Sequence, residues 1–280
     1  MIKVLKSGFF TTIQDSGRFG FRDKGVPVSG TMDQKASEKA NSLLENKKEA
    51  AVLEITMTGP TLSFEENTFI ALAGAALSAT LNNKPIENYK VYKVSKGDIL
   101  SYGRLVNGFR AYLAVKGGLK AAVAMGSRSQ FFPVTQERRV LDYDEIPFDP
   151  VKVFEPKISE IRVDNYLQSR ELTVFKGPEF QCLTDSSLEQ LFSQEFTVAK
   201  ENNRMGYQIS ELLDACKYAM LTSATVPGTV QITPSGKLII LMKDGQTTGG
   251  YPRLLQLNTE SISILAQKKF GDTIRFKLSN

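Results

Sequence analysis

Apolar residues recur at every second position over much of this 280-residue chain, and glycine, proline and asparagine break the runs at short intervals. Period-two alternation puts one set of side chains on one face of a strand. A helix, at about 3.6 residues per turn, scatters the same residues around its axis. The clearest case lies near the C-terminus: Thr229 to Thr233 alternates, Pro234, Ser235 and Gly236 supply a turn, and Leu238 to Met242 continues as a second strand. Glu54 to Thr58, a turn at Gly59 and Pro60, and Thr61 to Phe64 have the same form. So do Lys90 to Ser95, the turn Lys96 to Asp98, and Ile99 to Tyr102. Leu77, Ala79 and Leu81 alternate before Asn82, and Ala111, Leu113 and Val115 before Gly117. The expected class is mainly β with a few short helices. Helical spacing is confined to Asp33–Leu44, to a segment opened by a capping-box pattern at Ser186–Glu189 and ending near Phe192, and to Thr259–Gln267. Glu211–Met220 fits helix or loop.

The halves echo one another in order. DSGRFGF, starting at Asp15, resembles ENNRMGY, starting at Glu201; TMTGPTLSF (Thr56) resembles QITPSGKLII (Gln231); KGDIL (Lys96) resembles FGDTI (Phe270). Ordered echoes point to duplicated β domains. The proline-rich, charged stretch Pro147–Pro156 places the boundary, giving domains 1–155 and 156–280.

The chain contains no histidine. A histidine base, a Ser-His-Asp or Cys-His nucleophile and a His-ligated zinc are excluded from it. Cys182 and Cys216 lack metal-ligand spacing and read as small buried side chains in a reducing compartment, so no metal is expected on this chain. Neither glycine-rich nucleotide motif occurs. The net charge of +5 is spread out, and the doublets Lys47-Lys48, Arg138-Arg139 and Lys268-Lys269 read as solvated surface rather than a nucleic-acid stripe. Met1 to Leu5 opens no secretory leader, and no apolar run nears the roughly 18 residues of a membrane span. A cytoplasmic protein without nucleic-acid or membrane partners is expected.

Two stretches carry the chemistry available to such a chain. Between Thr11 and Asp33, Gln14, Asp15, Arg18, Arg22 and Asp23 are interspersed with glycines whose backbone amides can approach a ligand; a loop pinned by its own Asp-Arg pairs is the alternative. GSRS, Gly126 to Ser129, is a weaker anion cradle. DGQTTGGYP, Asp244 to Pro252, follows an apolar strand and offers backbone donors at Gly245, Gly249 and Gly250. Asp244 adds a carboxylate, Gln246 a carboxamide, Thr247 and Thr248 hydroxyls, and Tyr251 a phenol. That set suits a small polar ligand bearing amide and carboxylate groups; a β-bulge and turn packed against the neighbouring domain is the alternative. A side chain at Gly249 or Gly250 would then enter the ligand's volume or force a strained φ.

TTIQDSGRFG, GVPVSGTMD, LEITMTGPTLSF, GSRS, NRMGY, PGTVQITPSGKLIILMKDGQTTGGYP and AQKKFGDTIRF, in this order, resemble the family of 5-oxoprolinase C-type subunits. It is also called allophanate hydrolase subunit 2, or the biotin-dependent carboxyltransferase family, and is related to the carboxyltransferase region of urea carboxylase. The sequence departs from the family pattern at Gln130, Asn202 and Gln208. The resemblance implies two tandem cyclophilin-like β-barrel domains. It implies work with a cyclophilin-like partner of the B type and a separate partner of the A type to open 5-oxoproline to glutamate with ATP, whose site is not assigned to any one of the three. Under it, Asp15 or Asp244 serves as general acid/base. Arg18, counted with the catalytic set, and Arg204 meet a carboxylate or phosphate, with Gln14 and Gly206 beside them. Gln246, Thr247, Thr248, Gly249, Gly250 and Tyr251 bind the lactam. Two alternatives follow from the same family: biotin-dependent carboxyl transfer to an amide or urea-like substrate, with biotin arriving on another protein, and a regulatory protein that binds an inhibitor of a histidine kinase.

Overall fold

A computed structural model describes Met1–Ser279. The chain divides into two units, one of Met1–Arg18 with Ser29–Leu167, the other of Phe19–Val28 with the residues from Gln168 onward. The short segment Phe19–Val28 thus counts with the second unit although it lies early in the sequence.

The first unit is built from two sheets. One orders its strands Glu145–Ile146, Ile2–Lys6, Thr61–Phe64, Ile99–Ser101, Thr80–Leu81 and Lys84–Pro85. The other orders Phe10–Gln14, Val52–Thr56, Asn107–Val115, Thr68–Ala76 and Val91–Val94. Parity explains the second sheet. Leu53, Ile55, Ile70, Leu72, Ala111 and Leu113 join the core that includes Ile2, Leu62 and Leu100 of the other sheet. Their neighbours Val52, Ala71, Ala73, Tyr112 and Ala114 point the other way, onto Ala36, Ala40 and Leu43 of helix α1, Gln34–Leu43. With both faces covered, the central strands Thr68–Ala76 and Asn107–Val115 are apolar over most of their length rather than alternating in polarity. Asp33 caps α1 by accepting from Ala36 N at 3.0 Å. Its other oxygen accepts from Tyr166 Oη at 2.6 Å, while Tyr112 Oη bridges Asp33 N and Glu54 Oε2 at 2.8 and 2.9 Å. Burial, then the nearby Glu54 and Asp33 charges, raise the Tyr112 phenol, so it remains a donor at any ordinary pH.

The second unit closes a seven-stranded barrel in the order Glu171–Lys176, Arg253–Leu257, Thr229–Ile232, Lys237–Leu241, Gly206–Leu212, Phe196–Asn202 and Thr273–Leu278, the last pairing in parallel with the first. Each strand buries an i, i+2 pair: Leu172/Val174, Leu255/Leu257, Val230/Ile232, Leu238/Ile240, Tyr207/Ile209, Phe196/Val198 and Ile274/Phe276. This is the period-two signal in its simplest form. Helix α2, Asp185–Ser193, is capped by Thr184, which accepts from Ser187 N at 3.1 Å. The cap expected at Ser186 thus falls two residues earlier, and the Ser187 hydroxyl goes to Asp214 instead. Helix α3, Thr259–Ala266, is capped by Asn258. Glu211–Met220 contains no helix; its first residues finish a strand and the remainder is irregular.

Two other expectations change. Lys268 is buried, and desolvation lowers its pKa. Cys182 and Cys216 are neither fully buried nor independent: their sulfurs lie 3.7 Å apart. Burial, then the Cys216 neighbour, push the Cys182 thiol up to about 12.

The echoed motifs differ in what they build. Thr229–Ile232 and Lys237–Leu241 pair directly, whereas Val52–Thr56 and Thr61–Phe64 enter different sheets. NRMGY forms the tight connection between two barrel strands; RFGF lies in irregular chain. Both G-D turns lead into strands, Ile99–Ser101 and Thr273–Leu278.

Candidate functional site

In the first unit Asp15 organises GSRS. Its Oδ1 accepts from Gly17 N, Ser127 Oγ and Ser129 Oγ at 2.8, 2.6 and 2.7 Å, and Oδ2 from Arg128 N at 2.6 Å. Asp15 N donates to Ser129 Oγ at 3.0 Å. A carboxylate with four donors has little lone-pair capacity left for moving protons, and it locks the loop to its strand. Arg18 is buried and donates to the Ser129 carbonyl at 2.5 Å. Gln14 is equally buried: its Nε2 donates to Gln130 O and Thr12 Oγ1, and its Oε1 accepts from Gly30 N. Gly30 has φ 83°, and a Cβ there would lie 2.8 Å from Gly17 N, so only glycine allows this approach. The departure at Gln130 is accommodated, since its Oε1 accepts from Ile13 N at 2.9 Å.

In the second unit the NRMGY connection is clamped to the start of DGQTTGGYP. Arg204 Nε and Nη2 donate to Asp244 Oδ2 and Oδ1 at 2.7 and 3.1 Å, and both residues are buried. Asp244 N donates to Arg204 O, and Met242 N to Met205 O. Asp244 thus occupies the fork of Arg204 that was expected to meet an anion. Gly206 begins a strand, with its Cβ position 3.2 Å from Ile240 O. Asn202 bonds the carbonyl of Ala199, and Gln208 accepts from Lys237 Nζ.

Past this clamp the loop pairs with a segment the sequence did not mark. Thr248–Gly249 forms a short antiparallel ladder with Ser223–Ala224. The next residue, Thr225, donates from N to Thr247 O at 3.0 Å and from Oγ1 to Gln246 O at 2.6 Å. Arg253 secures the far side: Glu179 accepts from its Nε and Nη2 at 2.9 and 2.8 Å, and Ala224 O accepts from Nη1 at 2.7 Å. The Arg253 hydrogen bonds hold the Glu179 carboxyl below its ordinary pKa. Arg22, from the early segment Phe19–Val28, donates through Nη2 to the Thr225 carbonyl.

Gly249 is the hub of this arrangement. A Cβ on it would lie 2.7 Å from Gln246 Nε2, 2.8 Å from Gln231 Nε2 and 3.5 Å from Thr225 Cγ2. Glycine therefore lets two carboxamides converge on one point. Gln231 is buried and donates to Tyr251 O at 3.1 Å. Gln246 and Thr248 are exposed, and Thr247 is buried. Gly250 differs from expectation, because its Cβ position has nothing within 4 Å and its φ is not in the left-handed region. The sequence thus located DGQTTGGYP but not Gln231, Thr225 or Arg253, whose spacing from the loop carries no motif. Among the described residues no group of three or more acidic or cysteine side chains is placed to hold a metal ion. No helix among them is long and apolar enough to cross a membrane.

The chain is similar to known proteins. The carboxyltransferase domain family, subdomains A and B, matches residues 24–278. The C-type subunit of 5-oxoprolinase from Escherichia coli (strain K12) is 32% identical over 282 residues, covering 99% of this chain and 90% of that protein. The crystal structure of TTHA0988 superposes with a TM-score of 0.90 at 26% identity, over 99% of this chain and 55% of that one. The urea amidolyase of Kluyveromyces lactis gives 0.87 at 27% identity, over 98% of this chain and 18% of the larger protein. This chain thus spans about half of TTHA0988 and under a fifth of the amidolyase. With the family matched over nearly all its length, this chain belongs to the carboxyltransferase domain family, subdomains A and B.

Proposed function

We propose that this chain is one component of an ATP-dependent 5-oxoprolinase complex that opens 5-oxoproline to L-glutamate together with partners of the A and B types. The observation that carries this is the convergence of the Gln231 and Gln246 carboxamides on Gly249, in a chain 32% identical to a C-type subunit of 5-oxoprolinase over almost its full length. A lactam presents one N–H and one C=O on the same edge, and a primary carboxamide complements both. Thr247, Thr248 and Tyr251 border the same loop. A lactam is a stable amide; ATP, as co-substrate of the complex, phosphorylates the amide oxygen and leaves as ADP. Water adds to the activated carbon, and the ring C–N bond breaks as the nitrogen takes a proton. A second water then releases inorganic phosphate from the resulting acyl phosphate.

Within this chain the carboxylates serve positioning. Asp15 fixes GSRS, and Asp244 holds Arg204 against the loop's first turn. Arg18 braces the same GSRS loop through the Ser129 carbonyl. The chemistry therefore draws its acid/base groups from the assembled complex.

Carboxyl transfer from biotin is the second reading, favoured by the family match and by the urea amidolyase likeness. Biotin would reach this chain on another protein. The two separate on the complex formed with co-expressed partners: glutamate formed from 5-oxoproline and ATP supports the first, whereas bicarbonate-dependent carboxylation of urea or an amide, requiring a biotinylated carrier, supports the second.

A further inference from the structure

Three arginines surround the DGQTTGGYP loop, and they are not equivalent. Arg204 is closed by Asp244 and Arg253 by Glu179, so each of those charges is balanced inside the unit. Arg22 has no ion pair among the described residues. Its Nη2 donates to a backbone carbonyl, and its Nη1 is buried with no hydrogen-bond partner among them. A buried guanidinium nitrogen without an acceptor is unfavourable, and an oxyanion in reach of it relieves the cost. Desolvation alone lowers the Arg22 pKa, which agrees with a cation lacking an acidic neighbour.

Arg22 is also well placed. It opens the short turn Arg22–Lys24, closed by Gly25 at φ 77°, whose N–H donates to Arg22 O at 3.0 Å. Its carbonyl partner belongs to Thr225, the residue whose methyl lies 3.5 Å from the Gly249 Cβ position. Guanidinium and converging carboxamides are therefore joined through one residue.

We propose that Arg22 is the anion-binding residue of this loop, receiving the carboxylate of a small ligand whose amide meets Gln231 and Gln246. The amide half of this rests on the lactam reading above; the carboxylate half rests on Arg22. One guanidinium among neutral carboxamides and hydroxyls balances a single negative charge, as a carboxylate carries, and leaves a phosphate dianion under-compensated.

The test is a nuclear magnetic resonance titration of the full chain and its Arg22→Gln variant with three probes: 5-oxoproline, 2-pyrrolidinone (the lactam without carboxylate) and acetate. In the wild type, 5-oxoproline should shift the Arg22 Nε signal and 2-pyrrolidinone should not. In Arg22→Gln, 5-oxoproline should bind about tenfold more weakly while 2-pyrrolidinone is unchanged. If both lactams weaken equally, or 5-oxoproline stays within about twofold, Arg22 only shapes the loop and the proposal is overturned. If acetate shifts the Arg22 signal but neither lactam binds, Arg22 stands and the lactam reading falls. If no probe moves the Arg22 signal, the proposal falls. Should Arg22→Gln fail to fold, the wild-type signal and the Arg22→Lys variant, which keeps the charge but loses the fork, decide it.

Discussion

Arg204 and Asp244 close on each other through two hydrogen bonds, Nε to Oδ2 at 2.7 Å and Nη2 to Oδ1 at 3.1 Å, with 6% and 8% of their surfaces exposed. Removing one partner strands a buried charge. Asp244→Ala should therefore destabilise the chain by about 3 kcal/mol in urea unfolding. A double Arg204→Met, Asp244→Leu variant should recover much of that loss, because no unpaired charge remains. An Asp244→Ala protein of wild-type stability but no activity in the complex would instead make Asp244 a chemical group.

Gly249 and Gly250 should separate sharply. A Cβ at Gly249 displaces the ends of Gln246 and Gln231, which are side-chain tips able to move, so Gly249→Ala should fold and lose substrate binding. Gly250→Ala meets open space at an ordinary φ and should keep both stability and turnover. Melting curves and turnover of the two variants in the complex check this; equal behaviour would remove the special role of Gly249.

Asp15→Asn should loosen GSRS without touching the barrel. The amide keeps one acceptor where the carboxylate served four donors. A loss of about 1–3 kcal/mol is expected, with faster hydrogen exchange at the Arg128 amide. Unchanged exchange there would mean that the clamp is not formed in solution.

The thiol pair gives a pH signature. A Cys182 pKa near 12 leaves very little thiolate at pH 8, so alkylation of the folded protein should run roughly a thousandfold slower than for an ordinary thiol. The unfolded chain loses this proton near pH 8.5 and the folded chain only near 12, so the folded state binds more protons between them. The Cys182 contribution to stability is therefore present below about pH 8.5 and is lost as the pH rises toward 12. Rapid labelling of Cys182 at pH 8 in native protein would contradict this.

Much of the fold was legible because period two survives wherever a strand has one covered face. The hairpin Thr229–Leu241 and the paired interior residues of the barrel follow directly from it, and the caps Asp33 and Asn258 lie just ahead of helical spacing. Partner choice was not legible. Nothing in the alternation tells Val52–Thr56 to leave Thr61–Phe64 for another sheet. Nor does it bring Cys182 to Cys216, or Arg22 to Thr225 across 203 residues. DGQTTGGYP was found because its glycines break the local pattern. Gln231 was hidden because a buried carboxamide within a strand reads as one more polar position.

The most direct test of the account is the purified complex of this chain with co-expressed A-type and B-type partners, supplied with 5-oxoproline and ATP. Glutamate and ADP should appear together in the full complex, should be absent with this chain alone, and should be lost with Gly249→Ala while the complex still assembles. Glutamate formation that persists unchanged with Gly249→Ala, or a wild-type complex that assembles yet leaves 5-oxoproline intact, would contradict it.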